Sequence, residues 1–345
     1  MHPFRRSRTI AAALACASPL AFAAPHYTAQ VIPTPAGSID LGLSGLSASG
    51  VAFGTDQVGV GPWVAHSVVL RNGRLQDFDP LGARISNVAA MSSAGDIAGV
   101  VTSPQGVREE GYLRRPGGQS VPIRAAGAQR TLPGGVNAGR TVVGVTTDVQ
   151  GNQSTGFAWR DGAFTFFPST LGGASSQVNS INDAGDMAGS QEDADFEIHA
   201  MLWHADGSAV ELATLPGTTG CNTRVISSTG HISGLCLDAS SHLHAAMWES
   251  AGGAPVELAP LAGTSDAFAN GVNAAGVAVG EGSPNLHALV WRDGGVFDLQ
   301  SVTSGVPAGV TLYSAWAIAD DGRILAFGFD TFFDNYTMIL TPDAD

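Results

Sequence analysis

The sequence predicts an all-β fold: a seven-bladed β-propeller of four-stranded antiparallel blades whose last blade is closed by the N-terminal strand. Three observations predict it. A glycine-anchored turn returns seven times about every 45 residues, each period holds four short strands, and one period is split between the chain ends.

The anchor is a tight turn closing on Gly50, Gly95, Gly139, Gly185, Gly230, Gly276 and Gly322, spaced 45, 44, 46, 45, 46 and 46 residues apart. A second glycine follows at Gly54, Gly99, Gly144, Gly189, Gly234 and Gly280, with Ala326 in the last copy. Asn182-Asp183-Ala184-Gly185 suits a type I turn followed by a left-handed glycine, a three-residue hairpin with a bulge. Asn at the first turn position bonds back to its own backbone. Asn137, Asn273, Ser92 and Ser227 fill similar places. The second glycine, inside the outgoing strand, implies close approach of a neighbouring backbone.

In the fourth repeat the strands are read as Gln177–Asn182, Met187–Gln191, Ile198–Trp203 and Ala209–Leu215. The third strand ends on a Trp before a glycine turn at Trp159, Trp203, Trp248 and Trp291. Leu70, Arg114 and Leu340 stand there in other copies. No stretch keeps a 3.6-residue apolar period. A lone four-stranded sheet cannot bury both faces, whereas radial stacking buries them between neighbours and ring closure removes the open edges.

The seventh repeat runs out after a third strand, Tyr336–Thr341, while Tyr27–Pro33 is a strand to spare. Gly37 precedes Gly50 by 13 residues, as Gly217 precedes Gly230 and Gly263 precedes Gly276. The N-terminal segment thus aligns with a fourth strand and is expected to complete the last blade. An open solenoid is the rival, but it predicts capping ends, not a split repeat.

The chain begins like a secretory leader. Arg5, Arg6 and Arg8 precede an apolar run from Ile10 to Leu20, and Ala21-Phe22-Ala23 gives a cleavage pattern. The run is too short to span a bilayer as a mature helix. Residues 1–23 are read as a signal peptide and 24–345 as one domain, exported to the periplasm or beyond. Lipidation at Cys16 is the alternative, against which Ala13-Leu14-Ala15 is a poor match to a Leu-led lipobox.

Every basic residue is Arg, and 30 acidic residues face 16 basic ones; without the leader arginines the balance is 13 against 30, or −17. That charge, with no basic cluster, argues against nucleic acid and anionic membrane as partners. A 44% apolar, 13% charged chain with 45 Gly has the balance of many doubly buried short strands.

The motifs resemble those of the HAF repeat family of probable extracellular repeat proteins. The matches are His199-Ala200-Met201 with Trp203, His244-Ala245-Ala246 with Trp248, and His287-Ala288-Leu289 with Trp291. Thr170-Leu171-Gly172-Gly173, Ile181-Asn182, Gly185 and Gly189 continue one copy, and Asp40-Leu41-Gly42 supplies its Asp-Leu-Gly. The resemblance spans nearly the whole mature chain. It implies export and a repeat fold, and no activity.

His66, His199, His244 and His287 each stand four residues before the Trp or its Leu substitute. Equivalent positions in adjacent blades lie ~10 Å or more apart, while zinc needs imidazole nitrogens at ~2.1 Å. One ion therefore cannot be shared across blades, and a repeated structural hydrogen bond is expected instead. His242 and His244 face one side of a strand and could hold a metal with a third ligand. Cys221 and Cys236 flank the fifth turn nearly symmetrically; they form a cross-strand disulfide, or a bulge sets them on opposite faces as free thiols.

Acidic residues gather between second and third strands at Asp148, Glu192, Asp193, Asp195, Asp238 and Asp334, and are read as solvated loop charge; Asp193 and Asp195 could contribute to calcium binding, but no calcium-loop pattern occurs. No nucleophile elbow, phosphate loop, dinucleotide fingerprint or zinc-protease motif occurs. No catalytic residue, cofactor or metal site is assigned, and a monomer is expected. The functional expectation is a non-catalytic binding module for an extracellular or envelope protein or glycan, presented on a rim. The alternative is a hydrolase or lyase with its site at the central channel, which needs ionisable groups converging on the innermost strands.

Overall fold

The structure, a computed structural model, describes residues 24–344 apart from 59–63, 72, 104–107, 149, 151–152, 250–252 and 285. The leader reading, including Cys16 and the cut after Ala23, lies outside the described residues.

Among the described residues the fold is all-β but for one 3₁₀ turn, Pro80–Gly82, and one helical turn, Leu299–Val302, which the absence of helical periodicity did not anticipate. Asp298 caps that helical turn by accepting from the Gln300 N–H. Among the described residues the strands form six hydrogen-bonded sheets. Four are four-stranded meanders, in which each strand pairs with the next in the chain. The eight-stranded sheet is two such meanders joined by the single pair Arg130–Glu109.

The remaining sheet joins the chain ends. Tyr27–Val31 pairs antiparallel with Asn335–Pro342, from Tyr27 opposite Pro342 to Val31 opposite Met338. Its other edge takes the two-residue strand Thr303–Ser304 in parallel. In the fourth repeat the strands are Gly172–Ile181, Met187–Asp193, Ile198–Trp203 and Ala209–Glu211. The last is shorter than read from sequence: Leu212 still bonds to Ala200, and Leu215 turns inward to the core.

Seven hydrophobic clusters, each shared by consecutive meanders, carry the burial. Leu202, Leu212, Ile226 and Trp248 belong to one. Another brings Leu41 and Val68 of the first meander against Leu325 and Ile339 of the last, with Ile32 between them. Trp159, Trp203, Trp248 and Trp291 are each buried in one of these clusters, where truncation of such a residue costs about 3–5 kcal/mol. The indole N–H of Trp248 donates to the Ala213 carbonyl and that of Trp291 to Ala259.

The turn glycines have positive φ at Gly50, Gly95, Gly185, Gly230, Gly276 and Gly322. The third copy corrects the sequence reading. Gly139 is not left-handed; its one extra residue passes that conformation to Arg140, at φ 61°. Arg140 gains an ion pair with the buried Asp96, at 3.3 Å, from that position.

Cys221 and Cys236 lie directly opposite each other and form a disulfide closing a separation of 15 residues. The register shifts of that strand pair fall on either side of Cys221, so the two cysteines keep the same face. Replacing both cysteines by Ala is expected to cost about 3 kcal/mol, the loop-entropy value for a 15-residue closure, read by denaturant unfolding. An unchanged midpoint would count against that account.

A second outcome follows from the end pairing. Deleting residues 24–33 strips the edge of Asn335–Pro342 and uncovers buried Tyr27 and Ile32 sites. The melting temperature should drop by on the order of 10 °C, and the amides of the Met338–Leu340 segment should lose exchange protection. Retained protection would contradict the structural role given to this strand.

Candidate functional site

The first strands of the meanders line one central cavity. Each pairs with its second strand through a register shift near its end. The skipped residues are Ser44, Ala89, Gly134, Asn179, Arg224, Asn270 and Trp316, and every one lines the channel. A bulge leaves one residue unpaired, bends the strand and re-aims that side chain.

The second glycine of the repeat makes room for this. A Cβ on Gly189 would overlap the Gln177 carbonyl oxygen, and one on Gly234 the Asn222 oxygen. Gly54, Gly99, Gly144 and Gly280 face their own first strands in the same way. The last copy has Ala326 there, and its first strand shifts register twice, as those of the first, fourth and fifth copies do.

At the turn end the channel is bound by the protein itself. Asn137 accepts from its own turn at Thr141 and donates across to the Asn182 carbonyl, 3.1 Å away. Asn182 and Asn273 repeat this with Ser227 and Ala319. Asp183 accepts from the Ala138 N–H at 2.7 Å and from the Ser93 hydroxyl at 2.6 Å, linking three turns. Asp320 does the same with Ala274 and Ser228, while its own N–H donates to Ala48. The cavity at this end is about 250 Å³.

Further along the strands the lining changes. A cavity of about 460 Å³ is walled by Gln177, Asn179, Asn222, Arg224, Asn270 and Trp316. Arg224 is exposed and has no ion-pair or hydrogen-bond partner among the described residues. Trp316 is 42% exposed. Behind it an aromatic series runs outward: Phe327 edge-on at 6.4 Å, then Tyr313, Phe329 and Phe333 at centroid spacings of 6.4, 5.4 and 5.8 Å. Burial, and then the negative charge of Glu281, raise the Tyr313 hydroxyl above its ordinary pKa.

Phe333 sits in a loop between second and third strands, where Asp330 accepts from the N–H groups of Phe332 and Asp334. Asp193 and Asp238 organise the matching loops. These loops force left-handed φ on Phe196 and Phe333, a conformation costly for bulky residues. Phe196, Phe332 and Phe333 are about four-fifths exposed, so the rim on this side is aromatic.

The repeated histidines do not reach the channel. In each copy Nδ1 meets a carboxylate at or just after the fourth strand: His66 with Asp79, His199 with Glu211 at 2.7 Å, His244 with Glu257 at 2.8 Å, and His287 with Asp298 at 3.0 Å. His199 Nε2 also meets Asp193 at 3.1 Å. Asp193, Glu197 and His199 are close enough to enclose an ion, but both His199 nitrogens are already engaged by carboxylates. His242 lies 3.5 Å from Asp266 and His244 beside Glu257, so the metal reading of that pair gains no common site among the described residues.

Sequence reasoning missed the channel residues. Their signal was present: each stands six residues before the left-handed turn residue, counting from Arg140 in the third copy. The histidine partners were equally regular, 11 to 13 residues downstream.

No protein-family model and no characterised protein matches the sequence. Solved structures do resemble the fold. The β-propeller domain of the Trilobed protease from Pyrococcus furiosus superposes with a TM-score of 0.57 at 9% identity, over 86% of this chain and 94% of that one. YCF48 bound to D1 peptide gives 0.51 at 13%, over 94% and 97%. Virginiamycin B lyase from Staphylococcus aureus gives 0.50 at 9%, over 91% and 98%. The fold is that of β-propellers built from four-stranded antiparallel sheets.

The histidine pairs make stability pH-dependent. Burial alone would lower the His199 pKa, but the hydrogen bonds and charges of Glu211 and Asp193 outweigh it and raise it. Glu257, then Asp238, raise His244 against its burial. Their stabilisation is complete below the unfolded imidazole value near 6.5 and is lost as pH rises through the higher folded values. Asp193 and Asp238 are lowered, chiefly by the N–H groups of Glu197 and His242 respectively. Their share is present above the unfolded value near 3.8 and lost as pH falls through the lower folded ones. Melting temperature should therefore fall between pH 6 and pH 8, and the double variant H199Q/H244Q should flatten that slope. An unaltered slope would remove these histidines from the account.

Proposed function

We propose that residues 24–345 form one seven-bladed β-propeller, locked by its N-terminal strand. In this reading residues 1–23 are removed on export, the protein is of the HAF-repeat type, and it acts as a monomeric, non-catalytic binding module. Its partner is an extracellular or envelope protein or glycan.

The carrying observation is the make-up of the channel wall. It offers an exposed Trp316, side-chain amides and an unpaired Arg224, which are recognition groups. A hydrolase or lyase would need a converging acid and base. The lining carboxylates Asp183 and Asp320 are instead engaged with the N–H and hydroxyl groups of neighbouring turns. The aromatic rim at Phe196, Phe332 and Phe333 lends further support, as does the peptide bound to the YCF48 propeller. For export, the disulfide is what an oxidising compartment allows. Among the described residues no helix is long and apolar enough to cross a membrane.

The test is a glycan array together with immobilised envelope proteins, probed with the mature chain. W316A should weaken capture about tenfold or more, as loss of a central aromatic anchor does. F166A, on an outer strand and 47% exposed, should leave it unchanged. Equal losses in both variants, or release of a cleaved ligand, would overturn the reading.

A further inference from the structure

We propose that the channel cavity takes a carboxylated saccharide, with Arg224 pairing the carboxylate of a uronic-acid unit and Trp316 covering the face of its ring. The inference rests on the binding-module reading and names the ligand of that same site.

The place of the cation is the first ground. Arg124, Arg130, Arg140, Arg292 and Arg323 are paired away from the channel with Glu110, Glu109, Asp96, Asp293 and Asp321. Arg71, Arg74, Arg84 and Arg108 have no carboxylate partner among the described residues either, but none of them lines the channel. Arg224 is the arginine that does, and its bulge aims it there without a carboxylate partner. A guanidinium presents a planar fork that fits a carboxylate through two parallel hydrogen bonds. The acidic outer surface opposes such a ligand only weakly, because charges beyond about 8 Å are screened at physiological ionic strength.

The second ground is the state of the neighbouring amides. Asn179 donates to Thr223 O at 2.6 Å and to Asn222 Oδ1 at 3.3 Å. That leaves Asn179 Oδ1 and Asn222 Nδ2 without a protein partner among the described residues. Asn270 donates to Ala315 O, which leaves its Oδ1 likewise. Gln177 donates to Ser190 Oγ at 3.1 Å, which leaves its Oε1 open too. Three acceptors and one donor, fixed by their other halves, suit hydroxyl groups that both give and accept. Trp316, held edge-on by Phe327, adds one apolar plane to this polar wall. A pyranose carries both characters: an apolar C–H face and a hydroxyl rim. One cation makes no track for a nucleic-acid backbone. A peptide C-terminus would also use Arg224, and its backbone could pair with the amides, so it is the competing ligand in the test.

The experiment is calorimetry with the mature chain. The probes are tetrasaccharides of galacturonate, glucuronate, mannuronate and guluronate, neutral galactotetraose, and a tetrapeptide with a free carboxylate. We expect at least one uronate to bind about tenfold or more tighter than the neutral sugar, the scale of one charge-assisted pair. R224Q should erase that difference and R224K should restore part of it, while melting curves of both variants match the parent. Trp316→Ala should weaken uronate and neutral sugar alike. Equal or tighter binding of galactotetraose overturns the carboxylate inference and leaves the binding-module reading standing, as does a preference for the peptide. Binding of no probe overturns the inference as well. Shortening of a bound uronate, seen by mass spectrometry, overturns both.

Discussion

The whole arrangement depends on one close approach. Six glycines at the same place in the repeat allow the second strand to pass against a carbonyl of the first, where a Cβ would overlap the oxygen. That contact accompanies the bulge, and the bulge turns one side chain per first strand toward the channel. Packing between the sheets then fixes the geometry, since each hydrophobic cluster belongs to two consecutive meanders and none can form in one alone. In six repeats the glycine that admits this approach thus accompanies the residue that lines the channel, and the copy that carries Trp316 forms its bulge with Ala326 at that place.

The two ends of the channel do different work. At the turn end, polar groups find partners inside the protein: the asparagines bridge neighbouring turns, Asp183 links three and Asp320 four. Such a satisfied network rigidifies, because breaking any member leaves a polar group unpaired. Toward the other end Arg224, Trp316 and half of each channel amide have no such partner among the described residues. Rigidity at one end makes the open valences at the other a preorganised set, the condition under which few contacts give useful affinity.

The periodic features were legible because they are local. A left-handed glycine and an Asn at the first turn position can be recognised without knowing the partner strand, and the paired chain ends followed from counting. Gly139 misled because one inserted residue passes its conformation to Arg140. The short fourth strands were over-read because Leu212 and Leu215 look like strand residues but face the core from a loop. Arg224 was overlooked for a different reason. It keeps the six-residue spacing, but its facing comes from the bulge, and a bulge is set by the partner strand. The cysteines were left open because facing depends on where the bulges fall, and the two shifts flank Cys221, between Thr218 and Gly220 and between Thr223 and Val225.

The lining is also lopsided, and this bears on what the channel can hold. Around the equivalent positions the residues run Ser44, Ala89 and Gly134, then Asn179, Arg224, Asn270 and Trp316. A ring of seven large side chains would fill its own channel, and a ring of seven small ones would offer nothing to grip. Placing the small residues on consecutive first strands clears one side, while the large ones gather on the other with their polar groups grouped around a single aromatic plane. A scaffold that repeats every 45 or 46 residues would tend to give an axially symmetric site. Divergence at this one column of residues breaks that symmetry without touching the glycines, turns or clusters that build the sheets. The substitutions that give the channel its character therefore sit where the fold constrains them least, at the unpaired residue of a bulge, and that is how a repetitive frame can carry a one-sided recognition surface.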